Sequence, residues 1–518
     1  MDESQGLLSE YITEFHPSNS FSVPRFNNTM NSLKQTKLIR PPAGTDPSKT
    51  RPGNIKFLYT ITAFVSLGAF LFGYDQGVMG VIVADARWID LMHPKNSWVT
   101  GTVVSLYDVG CFIGAMSLGY LADPLGRERT LSIACAVFTV GAILQAASYT
   151  IVQISHLRAR SRGVCRRCSP ICCRDSPPAI RGRIVAIEQM ILCLGELVAF
   201  WLNYGFNFLE TKDWWRIPLA IQIIPAIILG IGCWFWVPPS PRWLASQDRH
   251  DCAREVLTRL HGSEVAELEM QEIQASIEFE HTVTEASWSD MFMMPVLRVT
   301  VLGMAVQFFQ QITGTNSILY YTPSLFKRGG IEDPRTANLA TGGVGIVLFV
   351  FSWVPIFYFD RLGRKTWLQI GTVGMMGAMI GITVLQWHAE HNPGDPANYT
   401  IILFPYLFYI FPVSMRAKGN ALTTASLWAA CYIVAQASPP IADAIGWGLY
   451  IIYTGICVVA FFFVRYALVE TRGRTLEEMS RLFGIESRLA ERSGVKTATT
   501  GKDPTEEHVE DLGSSSRS

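Results

Sequence analysis

The chain has 518 residues, of which 49% are hydrophobic and 17% are charged, and its mean hydropathy is +0.23. These values exceed those of soluble domains and fit a protein that crosses the membrane several times. Because 43 Lys and Arg residues balance 43 Asp and Glu residues, the net charge gives no indication of nucleic-acid binding.

Residues 1–52 come first and are rich in Ser, Asn, Thr and Pro, without an apolar core, which predicts a disordered tail. Apolar runs of about 20 residues follow, each long enough to cross a bilayer as a helix. Ten such spans begin near Phe57, Trp98, Thr130, Ile184, Ile217, Val299, Asn338, Trp367, Gly419 and Trp447. Two further crossings are required near 153–175 and 400–413, where the sequence is poorly suited to them.

Basic residues are concentrated in alternate connections between the spans. They are Arg127 and Arg129, Arg181 and Arg183, the 240–296 segment, and Arg361, Arg364 and Lys365. Connections rich in Lys and Arg stay in the cytosol. The pattern therefore places these connections in the cytosol and, provided that the two weak segments cross, both termini as well.

A hydrophilic segment, 240–296, separates two halves, 53–239 and 297–483, and residues 484–518 form a second polar tail, also predicted to be disordered. The composition from Asp251 to Phe279 predicts short amphipathic helices in this central cytosolic loop. The stretch from Gly119 to Arg129 recurs in part between Asp360 and Lys365, six spans later. This repeat predicts two six-helix bundles.

A tract of amides and tyrosines interrupts the seventh span; it contains Gln307, Gln310, Gln311, Asn316, Tyr320 and Tyr321. Each unpaired polar group costs ~1 kcal/mol or more in hydrocarbon, so the tract is expected to face a wet cavity. On one regular helix Asn316 would point away from the glutamines, so a break at residues 313–315 is predicted. Carboxamides donate and accept, which suits a polyhydroxylated ligand. The alternative is that they only bond neighbouring helices.

Several motifs occur together along the chain: Leu71 to Gln76, the paired loops described above, Pro177 to Gly182, Ser240 to Leu244, the amide tract, Arg416 to Gly419, and Glu470 to Glu478. In these motifs the chain resembles the sugar porter family of the major facilitator superfamily. In the segments Tyr107 to Phe112 and Ala186 to Gln189 it resembles the fungal hexose and polyol members in particular. The resemblance implies an all-α major facilitator fold. In that fold two bundles rock about a central sugar site and open it to each side of the membrane in turn.

The resemblance also implies roles for individual residues. Sugar contacts carry over to Gln189, Gln310, Gln311, Asn316, Tyr321 and Trp428. Conformational gating, by carboxylates and guanidinium groups that pair in one state and separate in the other, carries over to Asp123, Arg127, Arg181, Asp360, Arg361, Arg364, Arg416 and Glu470. Trp428 would stack on the apolar face of a pyranose, although membrane tryptophans also serve in packing alone.

Three buried acids compete as the proton-coupling group. The resemblance favours Asp75, in the first span, whose alternative role is an ion pair within the bundle. Glu196 ranks second because it stands seven residues after Gln189, on the same helical face, and Asp108 ranks third. Since relatives that only facilitate diffusion keep the aspartate at the Asp75 position, symport and facilitated diffusion both remain open.

Two segments depart from the family pattern. Residues 154–175 hold six arginines where the family has its fourth span. At about 2.5 to 3.5 kcal/mol for each central arginine, this segment is not expected to cross alone. Residues 400–413 leave about a dozen apolar residues, too few for a core of about 30 Å. A misassigned splice junction explains these losses better than a zinc or redox cluster of Cys165, Cys168, Cys172 and Cys173.

The expected function is transport of a monosaccharide or polyol by alternating access, with or without proton symport. The alternatives are a non-transporting sugar sensor and an inactive product of a mispredicted gene. No enzyme activity or cofactor is expected, because no nucleophile–base pair, phosphate-binding loop or metal site is recognisable. The expected partners are the sugar, protons and the lipid bilayer, and the expected location is the plasma membrane. Hexose, pentose, disaccharide, polyol and carboxylic acid substrates all remain open.

Overall fold

The structure is a computed structural model that describes residues 55–155, 178–283, 296–331, 333–354, 364–410 and 421–468. Within these residues it is helical and contains no strand. The helices of the amino-terminal half are α1 (Ile55–Val65), α2 (Leu67–Ala84), α3 (Ala86–Met92), α4 (Ser97–Leu125), α5 (Arg127–Ala146), α6 (Pro178–Asn207), α7 (Arg216–Ile221) and α8 (Ile223–Phe235). The central loop contains α9 (Pro241–Ser246), α10 (His250–His261) and α11 (Ser263–Val283).

The carboxy-terminal half continues the same architecture. Its helices are α12 (Val296–Ile312), α13 (Thr315–Arg328), α14 (Pro334–Phe351), α15 (Arg364–His391), a 3₁₀ helix (Pro396–Ile402), α16 (Leu403–Ile410), α17 (Ala421–Ile445) and α18 (Gly448–Ala467). Among the described residues, seven helical stretches are long and apolar enough to cross a membrane: Thr60–Ala84, Glu128–Ala146, Ile187–Asn207, Arg216–Phe235, Pro334–Phe351, Lys365–His391 and Gly448–Ala467. The other three predicted spans are helical too, as α4, α12 and α17.

The seventh span is broken at Gly314. Helix α12 ends at Ile312 and α13 begins at Thr315, with Gly314 between them in the left-handed conformation at φ 90°. A side chain at Gly314 would also lie 2.8 Å from the Tyr453 ring, so both the backbone and the space require glycine. The break predicted at residues 313–315 is confirmed.

Glycines let α2 and α6 pack backbone against backbone. A Cβ atom on Gly73 would lie 1.9 Å from the Leu192 carbonyl oxygen, and one on Gly195 would lie 2.2 Å from that of Phe70. Between membrane helices, such small residues permit the close approach on which van der Waals packing depends. The amino-terminal half is therefore built around a tight glycine-lined helix pair.

The two halves meet through three helix pairs: α2 with α13, α4 with α17, and α6 with α14. At one end of these pairs, named here the Asp85 end, a Cβ atom on Gly80 would lie 2.5 Å from the Tyr320 carbonyl oxygen. Lys327 Nζ donates to the Ala84 carbonyl oxygen at 2.5 Å at the same end. The halves are in close contact there.

The central loop forms a small hydrophobic core of its own. Leu244 of α9 packs with Leu257 of α10 and Met270 of α11, and all three side chains are buried. On the outside, Arg254 Nε donates to Glu267 Oε2 at 3.0 Å. The prediction of short amphipathic helices in this segment is confirmed.

The two weak crossings have different outcomes. Most of 154–175 lies outside the described residues, as does the cysteine group within it. In the second weak segment the chain forms the 3₁₀ helix and α16, and the description ends at Ile410. The proposed splice error remains a prediction.

Candidate substrate site

Helix α13, the second piece of the broken span, is hydrogen-bonded to α17 through two predicted site residues. Asn316 is buried and donates from Nδ2 to Cys431 Sγ. One turn further on, the Tyr321 hydroxyl donates to the Ala435 carbonyl oxygen at 2.7 Å. Tyr321 itself departs from helical backbone angles, with φ −116° and ψ 19°, just before Pro323. Both residues therefore lie on the face of α13 that packs against α17.

Cys431 also reaches across to the amino-terminal half. Its thiol donates to Asp108 Oδ1 on α4 at 3.0 Å. Asp108, Cys431 and Asn316 are each no more than 6% exposed. The structure thus joins one predicted proton-coupling acid to one predicted sugar ligand through a thiol that the sequence did not single out.

Trp428 lies one helical turn before Cys431 and has no exposed surface. Its ring meets Phe72 and Tyr107 edge-on, with ring centroids 5.9 Å and 6.1 Å apart. Edge-to-face aromatic packing of this kind contributes ~0.5–1.5 kcal/mol beyond burial. In this conformation the indole packs at the boundary between the halves, and its stacking on a sugar remains a prediction.

The three glutamines of α12 occupy two different environments. Gln307 and Gln311 are buried, and the Oε1 atom of each has no hydrogen-bond partner among the described residues. Gln310 is half-buried and lines a cavity of about 20 Å³ within the carboxy-terminal half, beside Phe309 and Phe463. That cavity holds about one water molecule and is too small for a sugar.

The remaining predicted ligands and acids lie on α2 and α6. Gln189 is half-buried, and its Nε2 lies 3.9 Å from Cys193 Sγ on the next turn. Asp75 and Glu196 are buried. The structure places Glu196 within electrostatic range of Tyr409 on α16, whose hydroxyl donates to the Thr315 carbonyl oxygen at 3.0 Å. Glu196 therefore lies near the broken span.

The side chains of the predicted gating residues lie outside the described part of the structure. Asp123, Arg127, Arg181 and Arg364 lie on described helices, but their side chains are outside the description. The other four, Asp360, Arg361, Arg416 and Glu470, lie wholly outside the described residues. Their gating role remains a prediction.

Three residues near the boundary were not assigned as ligands from the sequence. Gln76 Nε2 donates to the Tyr320 hydroxyl at 3.3 Å, which joins α2 to α13. On α17, Gln436 accepts from the Ser105 hydroxyl of α4 at 2.6 Å. Gln76 lies in a motif and Tyr320 in the amide tract, so both carried a signal. Gln436 lies about two helical turns after Trp428 on α17. This spacing is the sequence signal that could have placed Gln436 near the predicted ligand Trp428.

Charged groups hold the Asp85 end together outside the membrane-spanning helices. Arg87 Nη2 donates to Asp85 Oδ2 at 2.9 Å, and Asn207 Nδ2 donates to the same atom at 2.8 Å. Burial raises the pKa of the Asp85 carboxyl, but these hydrogen bonds outweigh it and lower the pKa overall. Their stabilising contribution is present at neutral pH and is lost as the pH falls through the lowered pKa.

Comparison with known proteins identifies the family. Residues 61–483 match the family described as "Sugar (and other) transporter". The chain belongs to this family. The glucose transporter GlcP of Staphylococcus epidermidis is 32% identical to it over 466 residues, which are 85% of this chain and 99% of that protein. The galactose transporter of Saccharomyces cerevisiae is 28% identical over 463 residues, 81% of this chain and 80% of the relative.

Solved structures agree with this membership. The partially occluded inward-open form of the xylose transporter XylE from E. coli superimposes with a TM-score of 0.69 at 24% identity, over 80% of this chain and 100% of XylE. XylE bound to 6-bromo-6-deoxy-D-glucose, described as a proton:xylose symporter of the major facilitator superfamily, gives 0.67 at 26% identity, over 83% of this chain and 100% of XylE. The predicted all-α major facilitator fold is confirmed, and the protein is a multi-pass membrane protein.

Proposed function

We propose that this protein moves a monosaccharide or polyol across the membrane by alternating access. The observation that carries the proposal is the break at Gly314, which turns Asn316 toward α17 and α4 at the boundary between the halves. Broken helices at such boundaries are how transporters build substrate sites, because unwound backbone and polar side chains line a cavity there. The buried acceptors of Gln307 and Gln311 add groups that suit sugar hydroxyls.

The substrate class rests on the relatives. Glucose, galactose and xylose are named for the similar proteins, and all three are monosaccharides. The substrate site of this chain combines carboxamides with the aromatic rings of Tyr321 and Trp428. Both group types recognise a ring that is polar at its edge and apolar on its face.

Proton symport is the second element of the proposal. Asp75, Glu196 and Asp108 are buried carboxyl groups on helices that contact one another or the broken span. Acids inside a membrane protein mark ion or proton pathways by default. XylE is named a proton:xylose symporter, which supports the same coupling here.

The charge pattern of the loops supports a plasma-membrane orientation with both termini and the central loop in the cytosol. The Asp85 end then faces outward. Since the halves are in contact at that end, the described conformation is closed to the outside. In this interpretation the gating arginines and carboxylates act at the opposite, cytosolic end.

Counterflow tests the proposal directly. We expect the full chain, reconstituted in liposomes preloaded with unlabelled D-glucose, D-galactose or D-xylose, to take up the corresponding labelled sugar with saturable kinetics. Asn316→Ala should lower uptake at least tenfold, because a buried ligand amide is lost; a neutral hydrogen bond contributes about 0.5–1.5 kcal/mol. Gln247→Ala, at an exposed amide of the central loop, is the control.

Binding without flux separates the alternatives. A non-transporting sensor would bind a labelled sugar in detergent but show no counterflow in liposomes. An inactive product would do neither. Either result for the wild-type chain would reject transport, and Asn316→Ala with normal uptake would reject the proposed site.

A further inference from the structure

Asp108, Cys431 and Asn316 form a continuous polar chain across the boundary between the halves. Asn316 donates from Nδ2 to Cys431 Sγ, and the Cys431 thiol donates to Asp108 Oδ1 at 3.0 Å. Asp108 belongs to α4 of the amino-terminal half, whereas Asn316 and Cys431 belong to α13 and α17 of the other. Any movement of one half against the other must stretch or break this chain.

Among the described residues, groups on three helices face Asp108. Tyr107 lies beside it on α4, Tyr320 faces it from α13, and Cys431 faces it from α17, each within electrostatic range. Gln76 of α2 approaches through its hydrogen bond to the Tyr320 hydroxyl. These four side chains are uncharged, so a proton added to the Asp108 carboxylate changes the charge that they face.

A thiol both donates and accepts, although weakly, so its orientation depends on the charge of its neighbour. While Asp108 is ionised, the Cys431 proton points at the carboxylate and the sulfur accepts from Asn316. A protonated Asp108 would donate to the sulfur instead. The Cys431 proton would then turn toward the Asn316 amide oxygen, and the Asn316 NH₂ group would be released.

We propose that Cys431 is a positioning residue that links protonation of Asp108 to sugar binding at Asn316. This inference rests on the proposed function and names how its two ligands are coupled. A proton from the aqueous side adds to the Asp108 carboxylate to give the neutral acid and later leaves to the other side. No other bond is made or broken. Because linkage is reciprocal, proton binding tightens sugar binding and sugar binding tightens proton binding.

The test measures the Kd of purified protein for D-glucose by calorimetry between pH 5.5 and 8, together with KM for counterflow. We expect the wild-type Kd to rise at least fivefold as the pH rises over this range. Cys431→Ser should keep this dependence, since a hydroxyl also donates and accepts. Cys431→Ala and the better-filling Cys431→Val should flatten it to less than twofold. Cys457→Ala removes another buried thiol, on α18, and should behave as wild type.

A purely structural role for Cys431 predicts a different result, in which uptake falls by the same factor at every pH. Asp108→Asn provides a second measurement, because it should abolish the alkalinisation per molecule of sugar taken up, whatever its rate of counterflow. A wild-type pH dependence in both Cys431→Ala and Cys431→Val, or sugar-driven proton uptake in Asp108→Asn, would overturn the coupling. A wild-type Kd that does not change with pH would overturn the proposed coupling, even if the protein transports sugar. If sugar binding depends on pH but counterflow is absent, the proposed transport function is rejected and the coupling is not.

Discussion

Gln310 and Gln311 are neighbours in the chain with unlike surroundings. Consecutive residues on a helix point about 100° apart, so they cannot share one environment. Gln311 is buried, and its acceptor has no partner within the described part of the chain, whereas Gln310 lines the small cavity beside Phe309 and Phe463. A buried acceptor without a partner is costly, and a ligand hydroxyl would relieve that cost. Gln311 is therefore the better supported of the two predicted ligands.

We expect Gln311→Ala to raise KM for D-glucose counterflow by up to about tenfold, because the variant can no longer accept from the sugar. Tenfold corresponds to ~1.4 kcal/mol, near the upper limit for one neutral hydrogen bond. Gln310→Ala is the matched comparison, predicted from the family to weaken uptake by a similar factor. If Gln310→Ala leaves KM unchanged while Gln311→Ala raises it, Gln310 belongs to packing and not to the sugar site.

At the scale of whole helices, the α2–α6 pair depends on glycine. Gly73 and Gly195 each bring a backbone carbonyl of the opposite helix within bond-like distance of where a Cβ atom would stand. Backbone cannot give way as a flexible side chain can, so a larger residue must push the helices apart. Residues larger than glycine at these two positions are consequently expected to destabilise the amino-terminal half.

Gly195→Val should lower the stability of the purified protein by ~1–3 kcal/mol, the range for overpacking a close-packed interior. The measurement is the denaturation midpoint in detergent, followed by loss of the monodisperse peak. Gly205→Ala, on the same helix with nothing within 4 Å of its added Cβ atom, should leave the midpoint unchanged. Equal stability of the two variants would show that α2 and α6 can move apart with little loss of folding free energy.

Local patterns in the sequence predicted the helices and the break at Gly314 well. The break could be predicted because Gly314 lies between amides that a single regular helix could not direct to one side. The central-loop helices could be predicted because their apolar residues are regularly spaced. The environment of Gln310 and the role of Cys431 were not visible. Both features depend on which helices pack together. A single cysteine in an apolar run has no characteristic spacing, so the sequence does not distinguish a cysteine that hydrogen-bonds two helices from one that only packs in the core.

At the scale of the whole molecule, several contacts between the described parts of the two halves lie at the Asp85 end. Lys327 of α13 donates to the carbonyl oxygen of Ala84, and Gln436 of α17 donates to that of Trp98 at 3.1 Å. Arg335 of α14 lies over the Phe208 ring, 5.4 Å from its centroid. These polar and cation–π contacts join the halves at the edge of their boundary. Such contacts separate more readily than a dry apolar interface does.

Lys327→Gln should loosen this closure, because the shorter neutral amide loses both the bond to Ala84 and the attraction to Asp85. We expect hydrogen–deuterium exchange to quicken severalfold in amides between residues 80 and 106, as outer openings become more frequent. Exchange in α10 and α11 should not change. Lys212→Gln, at an exposed lysine, is the control, and unchanged exchange in Lys327→Gln would exclude Lys327 from the closure.

Two glycines at the boundary impose a constraint on how this chain can evolve. A Cβ atom on Gly80 would lie 2.5 Å from the Tyr320 carbonyl oxygen, and one on Gly101 would lie 2.8 Å from that of Gln436. Each glycine is required only when the two halves touch. A descendant that abandoned transport and kept a single open shape would be free to fill both positions. The residues that accumulate at 80 and 101 in such lineages would therefore record whether selection still requires the two halves to pack together.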